Sequence, residues 1–184
     1  SAMAEGKLVL AVDNGSGFIK CGVAGDEQPR VVQPTHGLAE ADGRAPLCNG
    51  IVSDWDAMET YWDHIWTNGM QVDTERCAVV ITAHLFETKD NKERLLQSLF
   101  ESFAIGAVYC SAPPVFELYA AGGENGVVVG CGTQCTYAVM VHEGLPDPRT
   151  MLRSDVAGEA LDRWTSRKLE AAAGCSLSAD EARR

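Results

Sequence analysis

Basic residues are scarce in this chain. Fifteen Lys and Arg stand against 26 Asp and Glu, which gives a net charge of −11 over 184 residues. Direct nucleic-acid binding runs on clustered Lys and Arg, so no nucleic-acid partner is expected. Beyond that the acidity mainly serves solubility. Long apolar runs are missing too. A membrane-spanning helix needs about 18 apolar residues or more. The nearest stretch, residues 103–116, is interrupted by Ser111, Pro113 and Pro114. No charged-then-apolar leader opens the sequence, so neither secretion nor a membrane partner is expected. Ser1-Ala2 ahead of Met3 reads as a tag scar, and residues 1–6 are set aside as an N-terminal arm.

Cysteines that could pair are also lacking. The seven lie scattered at positions 21, 48, 77, 110, 131, 135 and 175. An odd, scattered set speaks against a disulfide framework and for a reducing compartment. Cys131 and Cys135 form the one close pair. No second Cys or His pair accompanies them, so they read as buried thiols in strands rather than zinc ligands. His36, His64, His84 and His142 are equally dispersed and read as surface or satisfied histidines.

Hydrophobic residues make up 46% of the chain, enough to bury a core in one domain and part of a second. Residues 7–13 form a short apolar run that reads as a buried strand. Asn14-Gly15-Ser16-Gly17 follows as hairpin-turn chemistry, because Gly accepts positive φ. Residues 18–24 return as a second strand, and Val31–Gln33 form a third. Residues 34–49 read as a polar loop. From Asp54 the period changes: Trp55, Met58, Trp62, Ile65 and Trp66 recur at helical steps. Ser53 or Asp54 is expected to cap this helix and Asn68-Gly69 to end it. A strand at 77–82, a helix at 91–103, a strand at 107–110 and a helix at 114–121 come next.

Then the opening pattern returns. Residues 126–131 read as a strand running into Gly132-Thr133-Gln134. Residues 136–143 return, 152–155 make a third strand, and 158–173 a helix. Strand–turn–strand–strand–helix thus occurs at 8–66 and again at 126–173, a repeat in pattern rather than identity. The second copy stops after its first helix. The expected organisation is a first unit over 7–124 with a short loop at 34–49, the start of a second unit over 125–176, and a tail over 177–184. An antiparallel trio followed by strand–helix crossovers implies an α/β class, with a mixed sheet flanked by helices.

The chemistry concentrates in Asp13-Asn14-Gly15-Ser16-Gly17-x-x-Lys20. A tight glycine hairpin exposes backbone N–H groups that can cradle phosphate oxygens. Ser16 adds a hydroxyl donor. Lys20 can aim an ammonium at the phosphates, and Asp13 can hold the waters of Mg2+. Spacing alone leaves an ordinary Asn-Gly hairpin as the competing reading.

The longer string from Asp13 to Arg30 resembles the first phosphate loop of actin and the actin-related proteins. The resemblance continues through Gly50-Ile51-Val52-Ser53-Asp54-Trp55-Asp56-Ala57-Met58-Glu59 and Asn91-Lys92-Glu93-Arg94. It runs on through Phe100-Glu101-Ser102-Phe103, Leu118-Tyr119-Ala120-Ala121-Gly122 and Leu152-Arg153-Ser154-Asp155-Val156-Ala157-Gly158. Sugar kinases and Hsp70-type chaperones share the hairpin geometry but not these strings. The resemblance implies an actin-like ATPase (ribonuclease H-like) fold, followed here by an incomplete second copy. It places Asn14, Gly15, Ser16, Gly17 and Lys20 in the first phosphate loop, Asp13 at Mg2+, and Gly132, Thr133 and Gln134 in the second loop. ATP or ADP with Mg2+ is the implied cofactor. Other subunits of a cytoskeletal complex, actin or actin-related proteins, are the implied partners. The implied location is the cytoplasm, with the nucleus as the alternative.

The departures from the family are as informative. The acid that opens the family's second loop is Gly130 here, and its next acid and glycine are Thr133 and Gln134. The family's water-positioning Gln falls at Pro113 and its nearby His at Tyr137. The loop at 34–49 replaces a long insertion that makes filament contacts in actin. These losses imply a binding and scaffolding role, with nucleotide as a structural ligand at most. A slow ATPase with a nucleotide-driven switch, and a pure interaction module, are the alternatives.

Overall fold

The computed structural model describes residues 7–35 and 45–173. His36, Cys175, the arm at 1–6 and the tail at 177–184 lie outside the described residues. Strands β1 (Leu8–Asn14), β2 (Phe18–Val23) and β3 (Val31–Pro34) run antiparallel in sequence. Strand β6 (Cys77–Thr82) lies parallel to β1, and β7 (Ala107–Ser111) parallel to β6. The sheet order is β3-β2-β1-β6-β7. Side chains alternate across a strand, so Leu10 and Val12, Ile19 and Cys21, and Cys77, Val79 and Ile81 share one face and are buried together.

Two helices cover that face, α1 (Trp55–His64) and α2 (Lys89–Gln97). Asp54, not Ser53, caps α1: its carboxylate accepts the Ala57 N–H at 3.0 Å. Both helices then widen into a π turn, at Ile65–Met70 and at Ser98–Ser102. The first ends at Gln71, which takes φ 54°, rather than at Asn68-Gly69. Gly69 sits inside the turn, against Val31. Phe103, just past the second π turn, stacks on Trp66 with centroids 5.2 Å apart and meets Trp62 edge-on.

The expected loop at 34–49 contains structure. β4 (Leu47–Cys48) pairs with β5 (Ile51–Val52) across Asn49-Gly50, whose φ values are 53° and 82°. Positive φ at both central residues is what an Asn-Gly hairpin turn requires. A separate sheet follows helix α3 (Pro113–Ala120). Its strands are β8 (Gly126–Cys131), β9 (Thr136–His142), β10 (Leu145–Pro146) and β11 (Leu152–Ser154). β9 is central and antiparallel to the other three. Val128, Tyr137, Val139 and Val141 pack inward with Val115 of α3 and Leu85. Val127, Val129, Met140 and Leu152 face solvent. Helix α4 (Gly158–Ala173) completes the strand–turn–strand–strand–helix pattern. Among the described residues no helix is long and apolar enough to cross a membrane.

Candidate functional site

The bend between β1 and β2 is held from behind by three elements. From the end of β3, the Thr35 hydroxyl donates to the Gly15 carbonyl at 2.7 Å and its N–H donates to the Gly17 carbonyl at 3.0 Å. From α1, the Trp62 indole N–H donates to Asn14 Oδ1 at 3.2 Å. From β6, Thr82 Oγ1 accepts the Asn14 N–H at 2.8 Å and donates to Asp13 Oδ1 at 3.2 Å. Lys20 reaches across the ladder to Asp13 Oδ2 at 3.0 Å. Both partners are about half exposed, so this pair orients side chains more than it stabilises the fold.

The glycines of the bend serve close approach. Neither Gly15 nor Gly17 takes the positive φ that the Asn-Gly-Ser-Gly pattern predicts. A Cβ on Gly15 would lie 2.5 Å from the Phe18 carbonyl oxygen, and one on Gly17 would run into Thr133 of the second hairpin. The two hairpins therefore touch, glycine against threonine.

In the second hairpin, between β8 and β9, polar groups are turned onto protein. The Gly132 and Thr133 carbonyls accept the N–H groups of Gly158 and Glu159, at 3.0 and 2.8 Å, at the start of α4. The Gln134 side chain bridges two elements. Its Oε1 accepts the Asn49 N–H at 2.8 Å and its Nε2 donates to Glu159 at 2.9 Å. Gly130 lies under the Tyr137 ring: a Cβ there would sit 2.6 Å from the Tyr137 hydroxyl oxygen and closer still to the ring. That hydroxyl donates to Glu117 of α3 at 2.6 Å. Burial and the bond to Glu117 push the Tyr137 phenol well above its ordinary range, so it stays a neutral donor. His84 is pressed against Gly50; burial, and then the charge of Arg153, bring its pKa down to about 4.

Between the hairpins lies a cleft of about 270 Å³. Asp13, Asn14, Gly15, Ser16, Gly17, Lys20, Gly132, Thr133 and Gln134 all line it, joined by Gly50, His84, Pro113, Glu117 and Tyr137. A larger hollow, about 370 Å³, opens on the bare face of the first sheet over Ala11, Val80 and Phe116. It shares Asp13 and Lys20 with the cleft but none of the glycine bend, so anion chemistry belongs to the cleft. Among the described residues no three metal-ligating side chains cluster. Sequence reasoning did not find Thr35, Thr82, the Trp62–Asn14 bond, Gln134's bridge or the Glu117–Tyr137 pair. Asn49-Gly50 was a turn signal present in the sequence; the others are contacts between distant segments.

Residues 36–177, well over half of the chain, match the sequence profile of the family Actin. The chain belongs to the actin family. Centractin of Saccharomyces cerevisiae is 30% identical over 197 aligned positions, covering 91% of this chain and 51% of that protein. An actin-like protein of Neurospora crassa is 34% identical over 182 positions, covering 84% of this chain and 48% of its own length. The chain thus spans about half the length of these curated relatives. The family match begins after the first hairpin, so what is said of that bend rests on its own geometry. Its residues suit a phosphate: Ser16 is nearly buried with a hydroxyl to donate, and Lys20 stands on the rim. For a cation the donor set is thinner. Asp13 contributes a carboxylate, already shared with Lys20, and Gly130 contributes none.

Proposed function

We propose that this chain is the cleft-bearing part of a divergent actin-related protein that acts as a binding and scaffolding subunit of a cytoskeletal or other multi-protein assembly. ATP or ADP is held weakly, as a structural ligand. When bound, Mg–nucleotide would supply a polyphosphate to the cleft. Ser16, the Gly15–Gly17 backbone and Lys20 would hold its phosphates, and Asp13 would orient the waters of the cation. Gly132, Thr133 and Gln134 form the facing wall.

The observation that carries the non-hydrolytic reading is the occupation of the second hairpin. The Tyr137 ring covers the Cβ position of Gly130, and Tyr137 spends its proton on Glu117. Pro113 offers no polar side chain where a water would be oriented. Positioning of the attacking water is much of what a nucleotide hydrolase contributes. The scaffolding role is supported by the family and by the solvent-facing Val127, Val129, Met140 and Leu152, an apolar face that a further segment or another subunit can cover. Its partners are other protein subunits, actin or actin-related chains, in the cytoplasm.

Calorimetric titration with Mg–ATP, paired with a phosphate-release assay, tests the nucleotide part. Binding without release above a protein-free blank is expected. Steady turnover overturns the non-hydrolytic reading, and no heat of binding overturns the structural-ligand reading. Size-exclusion with light scattering tests the scaffold part: a monomer that binds no apolar dye counts against it.

A further inference from the structure

Thr35 is fully buried, although its side chain is polar and it sits where the sequence reads as loop. A buried hydroxyl is costly without a partner. Here the hydroxyl finds the Gly15 carbonyl at 2.7 Å, and the backbone N–H finds the Gly17 carbonyl of the same bend at 3.0 Å. Thr35 does not line the cleft, whereas Gly15, Ser16 and Gly17 do. The two carbonyls therefore point to the side of the bend away from the cleft.

A trans peptide is planar, with its C=O and N–H pointing in opposite directions. Fixing the Gly15 carbonyl on Thr35 turns the Ser16 N–H toward the cleft. Fixing the Gly17 carbonyl removes a second negative pole from it. An anion entering the cleft then meets an amide hydrogen, the Ser16 hydroxyl and Lys20, with no carbonyl from Gly15 or Gly17 opposing it. Neither glycine takes a positive φ, so no left-handed residue sets this orientation.

We infer that Thr35 is a positioning residue for anion binding, acting through the two carbonyls it holds. The inference rests on the nucleotide reading above and extends it to a residue that touches no ligand. The probe is inorganic tripolyphosphate with Mg2+, titrated calorimetrically into the purified chain, its Thr35→Val variant and its Thr35→Ser variant. Thr35→Val keeps shape and N–H but loses the hydroxyl; Thr35→Ser keeps the hydroxyl. The loss of one hydrogen bond predicts about tenfold weaker binding for Thr35→Val. Thr35→Ser is expected to bind within about twofold of the parent, a rescue that packing of the threonine methyl group would not give. If Thr35→Val does not fold, Thr35→Ala carries the same expectation. Parent-like binding by the hydroxyl-free variant, or equal weakening in Thr35→Ser, overturns the inference and leaves the nucleotide reading standing. No binding by the parent overturns the nucleotide reading and the role of Thr35 with it.

Discussion

Gly130 and Tyr137 form one structural unit, and a pair of substitutions tests it. Adding a methyl at 130 places it against the Tyr137 ring, within 2.6 Å of the hydroxyl oxygen. The ring cannot swing away freely. It is 7% exposed, packed with Val115, Val128, Val139 and Val141, and tied to Glu117 at 2.6 Å. Relief requires either overpacking, about 1–3 kcal/mol, or loss of a hydrogen bond to a carboxylate, about 1.5–3 kcal/mol. Against this, Gly→Ala in a strand returns about 0.5–1 kcal/mol of backbone entropy. Gly130→Ala is therefore expected to destabilise by about 1–2 kcal/mol, a fall of about 2–8 °C in Tm for a chain of this size. In a Tyr137→Ala background the obstruction is gone, and the same change is expected to be neutral or stabilising by up to about 1 kcal/mol. Urea denaturation of the parent, both single variants and the double variant measures the coupling, expected at about 1–3 kcal/mol. Additive effects, within about 0.5 kcal/mol, would refute the idea that the tyrosine occupies the side-chain space of residue 130.

Three further outcomes follow from contacts in and around the cleft. Burial lowers the His84 pKa from 6.5 to about 4, so the fold holds it neutral while the unfolded chain protonates it first. Its contribution to stability is present above pH 6.5 and is lost as pH falls toward 4; His84→Leu should flatten urea midpoints across that window. Gln134→Ala should destabilise by about 1–2 kcal/mol and speed hydrogen exchange at the Asn49 amide, because that N–H loses its acceptor. Trp62→Phe removes the donor to Asn14 and part of the stack around Phe103. A loss of about 1–3 kcal/mol is expected in chemical denaturation.

Much of the first sheet was legible because its signals are local. The apolar runs of β1 and β6, helical spacing from Trp55 to Trp66, and the return of the opening pattern at 126–173 all read directly from the sequence. Gly15 and Gly17 lack the positive φ that their turn pattern predicts. Composition cannot distinguish a glycine needed for positive φ from one needed for contact, and here the neighbours are Phe18 and Thr133. Gln134 looked like the loss of a glycine, yet its side chain joins Asn49 to Glu159 across 85 and 25 residues of chain. Thr35 looked like one polar loop residue among several. What distinguishes it is two carbonyls about twenty residues earlier, a pairing that no window of sequence displays. The π turns were hidden for the opposite reason: their apolar spacing resembles that of the α-helices they continue.

The bonds from the second hairpin to the start of α4 have a mechanical consequence. Sixteen residues of helix make a rod about 24 Å long. It is anchored at its root by the Gly132 and Thr133 carbonyls, and it carries the exposed Leu161, Trp164 and Leu169 along its length. A tilt of about 5° at the anchored end would displace the far end by about 2 Å. A contact made on Trp164 is thus tied, through the body of the helix, to the two carbonyls of the second hairpin.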